Sequence, residues 1–439
     1  MKLIENGESY SAMLPFLDQS CFGSYLILPF QFQDGEFHSE WVDHTFSPRD
    51  VTTVDINEIT RSMMSKNGQV SIGRCWTIPQ DVLLREMTDI QPSRSLSLYV
   101  ETNNSSRCFS LTDSWLYVFH SHVAFFALGI CFDEIETLAD IVNLGGVSSR
   151  AAFHYEDASG RVDFSLSDWV NTLASKAGLR SFFSSGSNPF VDVFTYTLAV
   201  IPERFPDPDA MKQATFNLHL MIPFGTPVTD NSEEDVRFVY AKISEISHTF
   251  RWAACVTSQT ISYFTADPDM DLSSQMEIRG RAGLPVVMLA LYEKYTCLRY
   301  TEALANTDIH HLRPIQKLKM EMLEFKAYGT IAPTNISRWS NIRQIYRALL
   351  ETNEIPAAIA DVDHKISILA EHQRDLESKR TDLLTTLITA FGIVSILASV
   401  LSIIEILLGA NDVIWVSLIL TAVVLCLSIL LALFRRKDR

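Results

Sequence analysis

Thr385, Thr389, Gly392, Ser395, Ser399, Ser402 and Glu405 follow one another at steps of three and four residues. At about 100° per residue those steps return to one side of an α-helix, so hydroxyls, a glycine and a carboxylate form a single stripe. The stripe lies in an apolar run, LLTTLITAFGIVSILASVLSIIEILL, from Leu383 to Leu408. In lipid such a stripe can let helices approach closely, or offer oxygens to a hydrated ion along an axis of symmetry. Both uses need neighbouring chains, and the residues leave both open. A carboxylate in a span costs roughly 2.5–3.5 kcal/mol near the centre and less near an interface. Glu405 is therefore expected to face water or protein near the outer end. Followed by Gly409 and Asn411, it inclines the reading towards a pore mouth.

Other chemistry-bearing groups are weaker. Asp361 and Asp363, with His364, Glu371 and Asp375, could hold a hard cation such as Mg²⁺ through oxygen; the competing reading is the solvated face of a coiled coil. His120-Ser121-His122 falls between two strand candidates and reads as an exposed turn. His310 and His311 are adjacent on a helix and diverge by about 100°, so they cannot share one metal. Gly280-Arg281-Ala282-Gly283 precedes a helix and is an anion site in principle, a plain turn otherwise. No G-x-x-x-x-G-K-[ST], G-x-S-x-G, H-E-x-x-H or EF-hand loop occurs. Catalysis is not expected, nor a tightly bound cofactor.

The elements that must carry the stripe are legible. Leu383 to Leu408 and Val413 to Phe434 each exceed the roughly 20 apolar residues that cross a bilayer. They read as a transmembrane hairpin, with residues 409–412 as its outer loop. Lys379 and Arg380 precede the first span, Arg435, Arg436, Lys437 and Arg439 follow the second, and the loop carries only Asp412. That bias puts both termini in the cytoplasm and residues 435–439 in a basic cytoplasmic tail. Upstream, Ile359, Val362, Ile366, Leu369, Gln373, Leu376, Arg380, Leu383 and Leu387 recur at three and four. This is a heptad seam with two polar layers, over residues 357–382, continuous with the first span. It suits contact between copies of the chain; packing against a preceding helix such as Ser337 to Thr352 is the alternative.

Residues 1–285 read as a cytoplasmic α+β domain and 286–356 as a helical connector. Strands are expected at Ser24 to Phe32, Val70 to Ile78, Leu96 to Glu101, Trp115 to Phe119, Val123 to Phe132, Phe194 to Ile201, Thr215 to Ile222 and Thr260 to Phe264. Helices are expected at Phe132 to Leu144, Glu233 to Thr249, Leu284 to Ala305, Ile309 to Ala327 and Ser337 to Thr352. The order strand, strand, helix around 115–144 and again around 194–249 would suit a duplicated unit. The 439 residues carry 36 Lys+Arg against 52 Asp+Glu, a formal charge of -16. With no basic stripe, nucleic-acid binding is not expected. The 7 cysteines never form a C-x-x-C pair, which suits reduced thiols in a reducing compartment. Met1 to Ser20 lacks the features of a signal peptide.

Taken together, an α+β body, a long helix running from stalk into the first span, a short outer loop, a second span and a basic tail resemble the CorA superfamily of divalent-cation transporters. Members carry Gly-Met-Asn at the end of the first span, usually after an aromatic residue; this chain has Gly409-Ala410-Asn411 there, after Leu407-Leu408. The resemblance implies a multi-pass inner or plasma membrane protein, assembled as a homopentamer. The first span would line a pore with Gly409, Ala410 and Asn411 at its mouth, and Mg²⁺ or another divalent cation would be the transported or regulatory ion. A membrane-anchored cytoplasmic sensor or effector is the other expectation.

Overall fold

The computed structural model describes residues 21–51, 56–64, 71–88, 96–102, 105–146, 152–157, 160–182, 188–201, 208–224, 226, 236–242, 250–266, 271–307, 312–408, 415, 418 and 421–422. They fall into two compact units, residues 1–305 with 321–362, and 306–320 with 363–439.

The first unit is α+β. Its thirteen described strands are β1 (Cys21–Gln31), β2 (Ser47–Arg49), β3 (Gly73–Ile78), β4 (Ser97–Glu101), β5 (Ser106–Phe119), β6 (Val123–Phe132), β7 (Phe153–Asp157), β8 (Gly160–Phe164), β9 (Arg180–Ser181), β10 (Phe194–Ile201), β11 (Arg237–Lys242), β12 (Phe250–Val256) and β13 (Thr260–Ala266). They make one sheet in the order β11-β12-β13-β10-β1-β6-β5-β4-β7-β8, with β3 on β5, β2 on β3 and β9 on β1. Every pairing is antiparallel except β10 with β13.

Central strands such as β1, β6 and β10 are buried almost end to end, because helices cover both faces of the sheet. Leu26, Leu28 and Phe30 point into one core with Leu83, Leu138, Val170 and Leu218, from helices Gln80–Thr88, Ile135–Leu144, Leu166–Lys176 and Pro208–Leu220. On the opposite face Phe119 stacks on Tyr292 at 4.4 Å and Phe125 meets Tyr295 edge-on, both tyrosines from helix Leu284–Ala305.

Strand β5 forks. Ser106 to Ser110 pairs with β4, and Ser114 to Phe119 pairs with β3 on the same side. Between them the ladder to β6 slips at Thr112/Trp115, a bulge in which Gly129 N–H donates to the Ser114 hydroxyl at 3.0 Å. Gly129 is required there, since a Cβ would sit 2.3 Å from Thr112 Oγ1.

Several expectations are corrected. Thr215 to Ile222 is not a strand; it falls largely in helix Pro208–Leu220. Met211, Ala214 and Leu218 bury at helical spacing, and Thr215 donates back to Met211 O at 2.6 Å. The helix is buried on Thr215 and Asn217 too, which hides its period and mimics a strand. Residues 237–242, expected helical, are β11 on β12, while 243–249 lie outside the described residues. Aromatic and β-branched pairing outweighs the acidic stretch before it. With a helix inserted between β10 and β11, the supposed duplication does not hold.

The helix Ile355–Leu408 runs 54 residues without a break and starts with Pro356 in its first turn, where proline is tolerated. It crosses from the first unit's residues to the second's. Along the seam, Val362, Ile366 and Gln373 are buried within the chain, whereas Leu376 and Arg380 are exposed. Its Ile355–Ile403 part is long and apolar enough to cross a membrane, and none of its most apolar 18-residue window is buried.

Candidate functional site

The stripe is placed on one helix. Thr385, Thr389, Gly392, Ser395, Ser399 and Ser402 are all helical and exposed. Thr389 donates to Thr385 O at 2.7 Å and Ser399 to Ser395 O at 2.8 Å, so these hydroxyls keep their acceptor capacity for an outside donor or cation. A Cβ at Gly392 would meet nothing within 4 Å, which leaves a flat strip of backbone. Glu405 is helical; its side chain is not described. Gly409, Ala410 and Asn411 lie outside the described residues, as does most of the second apolar run, of which Trp415, Leu418, Thr421 and Ala422 are helical.

Asp361 and Asp363 stand two residues apart on the helix, so their carboxylates diverge by roughly 200°. Among the described residues no group of three or more His, Cys, Asp and Glu could hold a metal. His310 and His311 lie outside the described residues. His120, Ser121 and His122 form the β5–β6 turn, with His122 in the left-handed region at φ 65°. Its Nε2 lies 2.6 Å from Asp34 Oδ1. Burial lowers the His120 pKa. Both histidines border a hollow of about 380 Å³ with Arg299, Tyr300 and Glu321.

Gly280 to Gly283 is neither loop nor helix start. It forms a π-helical turn, Arg279–Gly283, between helices Leu272–Ile278 and Leu284–Ala305. Its N–H groups are therefore flanked by helix on both sides, and the free N-terminus that an anion needs is missing. The glycines serve contact: a Cβ on Gly280 would lie 2.7 Å from Tyr25 Oη, and one on Gly283 would overlap Tyr196 Oη. π-turns inside helices recur at functional sites.

This one closes over a cleft that the sequence reading missed. The cleft encloses about 790 Å³ where β5 forks, and its lining includes Tyr25, Cys75, Thr77, Thr112, Trp115 and Tyr117. Strict alternation would turn Thr112 away from Asp113, Trp115 and Tyr117; the bulge brings all four to one cavity. Arg49, Asp50, Asp113, Glu277 and Arg281 supply its charges. Arg281 pairs with Glu277 at 2.6 Å, and Asp113 accepts from Gln80 N–H at 3.2 Å. Tyr25 donates to Met276 O at 3.0 Å, tying the floor to the helical roof.

The hydroxyls of Thr77, Thr112 and Tyr117 are buried and have no hydrogen-bond partner. Burial raises the phenol pKa of Tyr117 far above its ordinary value and pushes the Cys75 thiol up to about 12, so both stay protonated. Cys75 Sγ donates to Arg49 O, and all six described cysteines are free thiols. The only sequence signal for this cleft was the density of Tyr, Trp and Thr on strands far apart in the chain. No spacing rule joins β1, β3 and β5.

Elsewhere in the first unit, Glu293 is a buried carboxylate whose Oε1 accepts from Tyr346 Oη at 2.6 Å and from Ile331 N–H at 3.1 Å. Burial raises it from 4.5 to about 7, against the pull of both bonds.

No protein-family model matches the chain, and no curated protein matches it.

Proposed function

We propose that the protein is a CorA-like membrane channel or transporter for Mg²⁺ or another divalent cation, driven by the ion's electrochemical gradient and performing no catalysis. The observation that carries the reading is the uninterrupted helix Ile355–Leu408, on which an apolar segment bears an exposed hydroxyl stripe. An exposed apolar helix needs lipid or other protein around it. Hydroxyl oxygens repeated up one face suit a hydrated cation once copies of the chain surround an axis.

In this reading copies assemble as a homo-oligomer, a pentamer if the resemblance extends to stoichiometry, in the inner or plasma membrane. Residues 413–434 form the second span, Gly409, Ala410 and Asn411 the pore mouth, and both termini face the cytoplasm. The -16 charge enriches divalent cations near the body.

The test is divalent-cation uptake into liposomes holding the purified full chain, comparing wild type with Asn411→Ala and Glu405→Gln. Uptake lost in Asn411→Ala and altered in rate or ion preference by Glu405→Gln supports the reading. Wild type that moves none of several divalent ions refutes it. A second reading, a membrane-anchored sensor or effector, is favoured in that event by the cleft at the fork of β5.

A further inference from the structure

We propose that the cleft at the fork of β5 binds a small organic cation, an amine that carries further hydrogen-bonding groups. This goes beyond the membrane reading and holds whether or not the chain conducts ions. Three observations lead to it. The volume of about 790 Å³ falls within the range of small-molecule pockets. Thr77, Thr112 and Tyr117 bring unpartnered hydroxyls to one cavity, and Tyr117 is fully buried. Buried polar groups without partners are uncommon, because their desolvation is not repaid. A ligand whose N–H and O–H groups reach all three removes that deficit.

Charge decides the class. Two guanidiniums, Arg49 and Arg281, face three carboxylates, Asp50, Asp113 and Glu277. Glu277 pairs with Arg281 at 2.6 Å, and Asp113 accepts from Gln80 N–H at 3.2 Å. The formal charges of the lining sum to one negative, three carboxylates less two guanidiniums, on a chain of -16, which favours a cation over a phosphate or carboxylate. The aromatic rings of Tyr25, Trp115 and Tyr117 in the wall add negative π-faces, to which an ammonium is attracted. The protonated Tyr117 phenol and Cys75 thiol add no charge of their own, so recognition rests on carboxylates, rings and neutral hydroxyls. The fork and its bulge hold these groups on strands rather than loops, which preorganises them.

The experiment follows thermal unfolding of the full chain in detergent micelles. Spermidine, agmatine and tyramine serve as amine probes, and adenosine monophosphate and citrate as anionic ones. At least one amine is expected to raise the melting temperature saturably while the anions do not. Asp113→Asn, at the exposed rim, should weaken that amine about tenfold. Tyr117→Phe should weaken it roughly fivefold by removing one hydrogen bond. Without ligand Tyr117→Phe should melt above wild type, because it deletes a buried hydroxyl that has no partner.

Stabilisation by the anions alone, no shift by any amine at millimolar concentration, or an amine shift that survives both substitutions overturns the proposal. So does a ligand-free Tyr117→Phe that melts below wild type, which would show the hydroxyl already satisfied by water. Asp113→Asn, a change at the exposed rim, tests binding independently of that melt.

Discussion

Replacing Glu293 with Gln should remove one source of pH dependence from the stability, the one that acts between about pH 4.5 and 7. Burial holds the Glu293 carboxyl at about 7, against 4.5 in an exposed chain. Between those values the unfolded chain has released the proton and the folded chain keeps it. The unfolded state then binds fewer protons, and stability falls as pH rises through the window. Below about 4.5 the group costs nothing; above about 7 the full cost is in place. At about 1.4 kcal/mol per pH unit the shift amounts to about 3 kcal/mol. The groups nearest the carboxyl are Tyr292, Tyr346 and Cys297, all held protonated by burial, so none of them titrates across the window.

Gln keeps an oxygen for both the Tyr346 and Ile331 donors and never ionises. Its amide nitrogen needs an acceptor that the carboxylate did not, at a cost of about 1 kcal/mol. Wild type should therefore be the more stable form near pH 5, and Glu293→Gln the more stable near pH 8.5. Across that range the gap should change by about 2.5 kcal/mol, roughly 5 °C in melting temperature for a domain of this size. The assay is thermal unfolding of the detergent-purified chain at a series of pH values. A gap that stays constant would mean that the carboxyl does not titrate near neutrality in the fold, and would refute the reasoning.

Gly283→Ala should lower the melting temperature by the equivalent of about 1–3 kcal/mol, because a Cβ there overlaps the buried Tyr196 hydroxyl; the double change Gly283→Ala with Tyr196→Phe should recover part of the loss in the same melt. Asn217→Ala should cost about 2–3 kcal/mol in a denaturant titration, since its Nδ2 donates to the carbonyls of Pro223, Phe224 and Thr226, which the substitution strands around the helix end.

How much of this was written in the sequence depends on the range of the interactions concerned. The helix Leu284–Ala305 and the strands Val123–Phe132 and Phe194–Ile201 were readable residue for residue, because each buries a long, nearly continuous apolar run. The long helix was readable from its lack of internal breakers, and its apolar half from composition alone. Where polarity and period disagreed, the reading failed. In Pro208–Leu220 Thr215 and Asn217 are as buried as Leu218, so the helix shows no polar face to count from. In Arg237–Lys242 the strand is fixed by its pairing with Phe250–Val256, a partner that local propensity does not see. The same distinction separates the two candidate sites. A stripe on one helix is a local pattern, and spacing alone finds it. The cleft depends on Tyr25, Thr77 and Tyr117 meeting across three strands and on a bulge that turns Thr112 inward. Only the pairing register makes those residues neighbours. Its clearest mark is that three buried hydroxyls without partners, those of Thr77, Thr112 and Tyr117, meet at one cavity. Unpaired hydroxyls also occur singly at Thr195, Tyr196 and Ser262, so what sets the cleft apart is a cavity of ligand size beside them rather than the missing partner itself.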